Sequence, residues 1–200
     1  MIKRKILLMR NKIVASHFIF LLIFIFAITA VASGRKPDAV KESGCSFVVL
    51  KNADFFPALL KAIDEAREEI FISMFSFRVG IHETSYPDRI LAKLFSAVKR
   101  GVKVKVILED TGNLNDDLSV QNRKAKKLLE ERGAVVYMDS PKKMTHTKLI
   151  VIDQRVVILG SHNLTQSALK YNNEISLLME NDVLAREARD YILSIIEEAK

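Results

Sequence analysis

The segment 145–176 carries the polar residues whose types and spacing are best suited to chemistry. They are six residues at fixed intervals: His146, Lys148, Asp153, Gly160, Ser161 and Asn163. His146 and Lys148 are two positions apart, so on an extended chain their side chains share one face of a sheet. The glycine allows close approach of the backbone, and Ser161 and Asn163 add neutral donors beside a cation and an imidazole. This combination suits a phosphoryl group, with the imidazole as nucleophile or proton carrier.

The spacing of these residues matches a known motif. The pattern His146-x-Lys148-x4-Asp153-x6-Gly160-Ser161-x-Asn163 resembles the HKD motif of the phospholipase D superfamily. The similarity covers residues 46–200 and includes three shorter stretches: Ile72–Phe77, Arg100–Val106 and Asn172–Glu174. With a single HKD copy, the sequence is similar to the small single-motif nucleases of the family. These include bacterial endonucleases with a secretory leader and membrane-anchored mitochondrial members.

The resemblance implies a role for each residue of the motif. His146 of one subunit would attack phosphorus and form a phosphohistidine, and His146 of a second subunit would protonate the leaving oxygen and then activate water. Lys148 and Asn163 would hold the non-bridging oxygens, with Ser161 assisting. Glu174 would accept a hydrogen bond from an imidazole and set its tautomer. Asp153 belongs to the motif, but its place at a hairpin turn favours a role in the fold.

The same resemblance implies a homodimer that needs neither cofactor nor metal. One chain supplies one catalytic histidine, so two chains must meet to complete a site. Two lysines, one from each Lys148, would supply the positive charge that a metal ion provides in other phosphodiesterases.

Other residues near the motif have two interpretations. Glu174 is either a solvated acid at a strand end or the acceptor for an imidazole, and we favour the second. His162 is interpreted as a spacer position rather than a ligand. Glu109 and Asp110 lie either at the carboxyl end of a strand, where α/β sites often occur, or in a turn.

Aromatic and basic residues are assigned to the core and the surface. Phe71, Phe75 and Phe77 are predicted to be core residues, with Phe77 late enough in its strand to approach the cleft and, as a guess, to stack on a base. The basic residues of one helix form either a solvated face or a track for a nucleic-acid backbone: Arg123, Lys124, Lys126 and Lys127.

Hydrophobic periodicity and turn residues predict an α/β domain that positions these residues. Short apolar or alternating runs predict strands at 47–50, 69–77, 102–108, 134–138, 148–152, 155–159 and 174–179. Helical spacing predicts helices after an Asp54 cap, from an Asp88 cap to about Arg100, over 118–132 and over 182–199. The hairpin at Asp153 adds antiparallel pairing. The predicted fold is therefore a mixed β-sheet flanked by helices on both faces.

An apolar leader precedes this domain. Residues 13–32 are almost wholly apolar, follow several basic residues and end in Ala30-Val31-Ala32, as a cleaved secretory signal does. The run is also long enough to remain as a membrane anchor, and both interpretations stay open. Residues 33–45 read as a linker, and Cys45 reads as an ordinary thiol. Either alternative places the domain of residues 46–200 outside the cytoplasm.

The charge distribution limits the function classes. The chain has 31 Lys and Arg against 24 Asp and Glu. Residues 1–32 hold five of the basic residues and no acid, so the body is nearly neutral and lacks a general basic coat for nucleic acid. A single cysteine excludes an internal disulfide framework and a cysteine-rich zinc site.

We therefore expect a metal-independent phosphodiesterase, of endonuclease type, acting on DNA or RNA. The alternative is a phospholipase D-type hydrolase of membrane phospholipids. A catalytically silent binding module is disfavoured because the residues of the motif are intact.

Overall fold

The computed structural model describes residues 46–200, in which seven strands form one mixed sheet. The strands are β1 (Ser46–Lys51), β2 (Glu69–Met74), β3 (Lys103–Leu108), β4 (Val135–Met138), β5 (Lys148–Ile152), β6 (Val156–Gly160) and β7 (Ile175–Glu180). Their order is β1-β7-β6-β5-β2-β3-β4, with β2, β3 and β4 parallel and the other neighbours antiparallel. The mixed sheet predicted from the sequence is confirmed. The predicted leader, linker and Cys45 lie outside the described residues.

Helices cover both faces of the sheet. They are α1 (Phe55–Glu65), α2 (Tyr86–Lys99), α3 (Asp117–Glu130), α4 (Gln166–Lys170) and α5 (Asp182–Glu198), with a 3-10 turn at Asn52–Asp54 before α1. Within residues 46–200, no helix combines the length and the apolar character needed to cross a membrane.

The alternation of side chains along the strands produces two separate cores. In β2, Ile70 and Ile72 pack with α1, α2 and α3, whereas Phe71 between them packs with α5 on the opposite face. The neighbouring strands repeat this alternation, because Ile150 belongs to the first core and Val151 to the second. We call the two sides the three-helix face and the α5 face. The middle of each central strand is mainly apolar because both faces of the sheet are covered there.

The starts of two helices differ from the sequence-based expectation. Asp54 occupies the N-cap position of α1, but its side chain accepts no capping hydrogen bond. The cap of α2 is Ser85, whose hydroxyl accepts the backbone N–H of Asp88. Asp88 instead lies in the first turn, and its carboxylate accepts the Ser85 hydroxyl at 2.6 Å and the Gly80 N–H at 2.6 Å. Its role is to hold the preceding loop against the helix.

The turn between β5 and β6 contains three residues rather than two. Ile152 pairs with Val156, so Arg155 belongs to the turn and β6 begins one residue later than predicted. Asp153 and Gln154 have positive φ angles of 52° and 48°. An aspartate tolerates this left-handed conformation better than most residues.

Candidate active site

One end of the sheet gathers the motif residues because four strands begin or end there. β2 ends at Met74, which pairs with Lys148 at the start of β5. β6 ends at Gly160, which pairs with Ser176 near the start of β7. Antiparallel pairing thus brings the segments before β5 and β7 next to the segments after β2 and β6. These segments carry His146, Lys148, Ser161, Asn163 and Glu174.

His146 and Lys148 both lie against Phe75. The exposed imidazole meets the Phe75 ring edge-on, with centroids 4.6 Å apart and planes inclined by 64°. The Lys148 Nζ lies 4.8 Å from the centre of the same ring and donates to the His146 carbonyl oxygen at 2.8 Å. The Phe75 N–H donates to the Thr147 carbonyl at 2.9 Å, which fixes the intervening residue. Phe75 is therefore a support for the site, which the sequence had assigned only to the core.

The Lys148 ammonium lies in a partly desolvated position beside an acid. Burial lowers the pKa of Lys148 from its ordinary value of 10.5, and the charge of Glu174 partly opposes that shift. A half-buried cation at the mouth of the site is suited to the charge of a phosphodiester.

Gly160 is required by the close packing of β6 on β7. A Cβ atom at this position would collide with the Ile175 carbonyl and with the Cα and Oγ of Ser176. Ser161, the next residue, is held by β7, because its N–H donates to the Ile175 carbonyl at 2.9 Å. The glycine of the motif therefore sets the position of Ser161.

Glu174 is engaged by residues of its own chain. Its Oε2 accepts the Ser161 hydroxyl, and its Oε1 accepts Asn172 Nδ2 at 3.2 Å. The Ile175 N–H in turn donates to Ser161 Oγ at 3.0 Å. Within the chain, Glu174 thus orients the serine of the motif. Its predicted role towards an imidazole stays a prediction.

Asn163 is held in the loop between Ser161 and α4. Leu164, the next residue, is fixed by two backbone hydrogen bonds. Its N–H donates to the Ser76 carbonyl, and its carbonyl accepts the Arg78 N–H, both at 3.0 Å. The Asn163 Oδ1 is buried and has no hydrogen-bond partner within residues 46–200. Its predicted contact with a phosphate oxygen stays a prediction.

His162 supports the loop from inside. It is fully buried and stacks on Phe55, with centroids 4.2 Å apart. Its Nδ1 pairs with Ser176 Oγ at 2.8 Å, and its Nε2 pairs with the Asn52 carbonyl at 3.0 Å. Burial lowers the pKa of His162, which favours the neutral ring. His162 is therefore a structural histidine, in agreement with its interpretation as a residue that binds no ligand.

Asn52 ties the loop to the first strand. Its Oδ1 accepts the Glu174 N–H at 2.8 Å, and its N–H donates to the Glu174 carbonyl at 3.0 Å. Asn52 has a φ of 48°, a conformation that asparagine adopts more readily than most residues. The sequence analysis missed this residue because the partners are 122 positions apart.

Glu109 supports the histidine segment. Its carboxylate is buried, and its Oε2 accepts the N–H of Thr145 at 2.5 Å. Thr145 is the residue immediately before His146. Burial raises the pKa of Glu109 above its ordinary value of 4.5, and the nearby acid Asp139 adds to that shift. The Ser73 and Thr147 hydroxyls meet at 2.5 Å on the other side of the histidine. Of the two open interpretations, the strand-end position next to the site is confirmed.

Asp153 lies at the opposite end of β5. Its carboxylate accepts three backbone N–H groups, from Arg67 and Glu68 at 2.8 Å and from Glu69 at 3.0 Å. β5 separates it from Lys148 by its full length, about 16 Å at the usual rise per residue. Although the motif placed Asp153 among the candidate catalytic residues, the structure places it outside the site as an anchor of the hairpin to β2.

The basic face of α3 is largely engaged by the protein itself. Arg123 binds Asp110 through two hydrogen bonds, at 2.6 and 3.1 Å. Lys124 donates to the Gly80 carbonyl, and Lys126 donates to Glu130 and to the Val136 carbonyl. These contacts weaken the interpretation as a track for a nucleic-acid backbone, because three of the four cations are already paired within the protein. Phe77 is fully buried, so the guess that it stacks on a base is wrong.

Within the described domain, no group of three or more His, Cys, Asp or Glu side chains is arranged to hold a metal ion.

The chain is similar to known proteins in family, sequence and structure. The family model described as "Cardiolipin synthase, PLD-like domain" matches residues 59–196. A phospholipase D of Rickettsia bellii is 33% identical over 123 residues, which is 62% of this chain and 54% of that protein. The chain thus spans about half the length of this relative.

Two solved structures share the fold. Nuc from Salmonella typhimurium, described as a phospholipase D family member, has a TM-score of 0.66 and 27% identity, covering 78% of this chain and 97% of Nuc. NucT from Helicobacter pylori has a TM-score of 0.62 and 22% identity, covering 77% of this chain and 97% of NucT. About three quarters of this chain thus corresponds to almost all of each of these two proteins.

Proposed function

The chain belongs to the phospholipase D superfamily, and on that premise we propose that it is a metal-independent phosphodiesterase that cleaves nucleic acid as a homodimer. The observation that carries the proposal is the grouping of His146, Lys148, Ser161 and Glu174 at one end of the sheet in a domain the size of Nuc.

The proposed reaction proceeds in two displacements at phosphorus. His146 of one subunit attacks phosphorus, and the bond to the leaving oxygen breaks as that oxygen takes a proton from the partner's His146. The partner imidazole then removes a proton from water, which attacks the phosphohistidine and releases the phosphomonoester. The Lys148 ammonium stabilises the charge on the non-bridging oxygens in both steps.

One histidine of the pair must start neutral and the other protonated. The rate should therefore rise and then fall with pH, because each of the two protonation states is needed at one of the two histidines.

A phospholipase D-type activity on membrane lipid is the second candidate. It is favoured by the name of the R. bellii relative and by the description of the matching family. Both candidates use the same chemistry and differ in the leaving group.

Parallel assays on three substrates separate the candidates. The purified protein is incubated with labelled DNA, labelled RNA and phosphatidylcholine vesicles, each in EDTA, and compared with a His146→Asn variant. We expect cleavage of nucleic acid in EDTA and none by the variant, whose thermal denaturation should match that of the wild type. Cleavage of lipid alone would establish the second candidate. Activity that requires added magnesium would refute the proposed mechanism.

The location of the enzyme follows from the leader. We propose that the domain acts outside the cytoplasm, either secreted or tethered. N-terminal sequencing of the protein from a membrane and a soluble fraction tests this, since cleavage should leave Ser33 as the first residue. A protein found only in the cytoplasmic fraction would contradict it.

A further inference from the structure

Aromatic and cationic side chains alternate along the surface from α2 to α4. The Tyr86 ring stacks on Phe56 with centroids 4.1 Å apart, and Arg89 Cζ lies 4.8 Å from the centre of the Phe56 ring and 5.9 Å from that of Tyr86. Lys170 Nζ, at the end of α4, lies 5.9 Å from the centre of the Tyr86 ring and 5.2 Å from that of Tyr171. We call Arg89, Tyr86, Lys170 and Tyr171 the aromatic–cationic strip.

Backbone hydrogen bonds fix the two helices that carry the strip. The Tyr86 N–H donates to Gln166 Oε1 at 2.8 Å, which joins the first residue of α2 to the first residue of α4. The Tyr171 N–H donates to the Ser167 carbonyl at 2.8 Å, so Tyr171 continues directly from α4. The spacing of the rings and cations along the strip is therefore set by the fold.

The two cations of the strip contact aromatic rings instead of acids. Among residues 46–200, neither the Arg89 guanidinium nor the Lys170 ammonium forms an ion pair or a hydrogen bond. On α3, by contrast, Arg123 and Lys126 are each paired with a carboxylate. A cation beside an aromatic face keeps its N–H groups free to bind a phosphate.

The strip ends next to the candidate site. The Tyr171 side chain is 69% exposed, and the residue that follows it, Asn172, donates to Glu174 Oε1 at 3.2 Å. Glu174 is the residue that accepts the Ser161 hydroxyl. A polymeric substrate whose phosphate lies beside Ser161 can therefore continue over Tyr171 and Lys170.

We infer that the aromatic–cationic strip binds the nucleotides that flank the phosphate being cleaved. Tyr171 stacks on an unpaired base, while Lys170 and Arg89 bind the neighbouring phosphates. Bases within a duplex are already stacked and paired, so only a single strand offers its bases to an exposed ring. The inference rests on the proposed function and deepens it, because it predicts that single strands bind more tightly than duplexes.

The test measures binding separately from cleavage. Full-length protein carrying His146→Asn, which stops turnover, is titrated in mild non-ionic detergent with a fluorescent single strand of about 12 nucleotides, within the usual range of single-strand sites. Tyr171→Ala, Tyr171→Phe and Lys170→Gln are each added to this background. Lys103→Gln is the matched control, because Lys103 is an exposed lysine at the start of β3, at the end of the sheet opposite the site. Thermal denaturation is measured on every variant.

Each variant has a different expected effect on binding. Tyr171→Ala should weaken binding by about tenfold, whereas Tyr171→Phe, which keeps the ring, should stay within about twofold of the parent. Lys170→Gln should weaken binding by about threefold or more and lower the slope of log Kd against log salt concentration by about 0.7, the value for one phosphate contact with a single strand. Lys103→Gln should change neither quantity.

The same substitutions in the active protein show where the loss falls. Tyr171→Ala and Lys170→Gln should raise KM for the oligonucleotide more than they lower kcat, because the strip lies beside the reacting atoms and does not contact them. Their effect on hydrolysis of bis(4-nitrophenyl) phosphate should be much smaller, since this substrate has neither a nucleobase nor a second phosphate.

Three results would overturn the inference. Folded Tyr171→Ala and Lys170→Gln variants that bind the single strand as tightly as the parent would show that the strip makes no contact. Equal affinity of the parent for a duplex of the same length would refute the stacking of an unpaired base. Variants that lose binding to phosphatidylglycerol vesicles and keep oligonucleotide binding would make the strip a surface for lipid headgroups. If the variants weaken oligonucleotide binding but the wild type cleaves no nucleic acid, the strip stands and the proposed function fails.

Discussion

Asp153 offers a direct test of whether a residue of the motif acts in chemistry or in the fold. In the structure, its carboxylate accepts three backbone N–H groups at 2.8, 2.8 and 3.0 Å, all from the segment that leads into β2. Asp153→Gly removes these acceptors and preserves the positive φ of 52°. Asp153→Asn keeps one carbonyl oxygen and removes the charge.

The expected loss of stability follows from these contacts. A hydrogen bond to a charged group contributes about 1.5–3 kcal/mol when it is well shielded. Arg67 and Glu68 are exposed, so water competes for two of the three hydrogen bonds, and the average contribution over all three bonds is about 1 kcal/mol per bond. Asp153→Gly should therefore lower the free energy of unfolding by about 3 kcal/mol, or the melting temperature by about 6–12 °C for a domain of this size. Asp153→Asn should fall between this variant and the wild type.

The activity of the folded fraction should hardly change, because Asp153 is a full strand length from Lys148. Thermal denaturation gives the stability, and kcat measured well below the melting temperature gives the activity. Gln154→Gly is the control, since it alters the same turn at a similar positive φ of 48° and leaves in place the Asp153 carboxylate that accepts the three N–H groups. A large loss of kcat at an unchanged melting temperature would refute the assignment of Asp153 to the fold.

Three further predictions concern the site end of the sheet. Gly160→Ala should cost about 1–3 kcal/mol and most of the activity, because its Cβ meets the backbone of β7. A melting temperature equal to that of the wild type would contradict this. The raised pKa of Glu109 means that the folded state binds a proton at this carboxyl more tightly than the unfolded state does. The stabilisation that this proton gives to the folded state is present below pH 4.5 and is lost as pH rises through the folded pKa. The melting temperature of Glu109→Gln minus that of the wild type should therefore increase from pH 4 to pH 7, and a constant difference would show that Glu109 does not titrate as proposed. In mixtures of wild-type and His146→Asn chains paired at random, activity should fall as the square of the wild-type fraction, to about a quarter in an equal mixture; a linear fall to about half would show that each chain works alone.

The sequence predicted the strands and long helices because their signals are local. The uninterrupted apolar run Ile70-Phe71-Ile72, for example, already indicates a strand buried on two faces, because successive side chains point to opposite faces. The five-residue helix α4 was missed, since it is too short for a periodic pattern to stand out. Asp54 and Asp88 were each predicted to cap a helix, but a suitable residue type does not show which neighbour makes the bond.

The site was predictable where its residues are close in sequence and form a spaced motif. Its supports were not, because they come from distant parts of the chain. Phe75 and Glu109 reach the His146 segment only through the pairing of β2 with β3 and β5. The partners of Glu174 were likewise hidden, since Ser161 approaches it only after β6 and β7 have paired.

The contacts of Asn52 bear on where the catalytic unit begins. The family likeness starts at residue 59, beyond both β1 and Asn52. Asn52 nevertheless binds the backbone of Glu174 twice and the ring of His162 once, and these two residues bracket the loop that carries Asn163. A chain shortened to the matched region would retain His146 and Lys148 but lose these three hydrogen bonds at the two ends of that loop. The smallest piece able to perform the reaction therefore extends at least to the first strand, and its boundary is set by hydrogen bonds to a single asparagine.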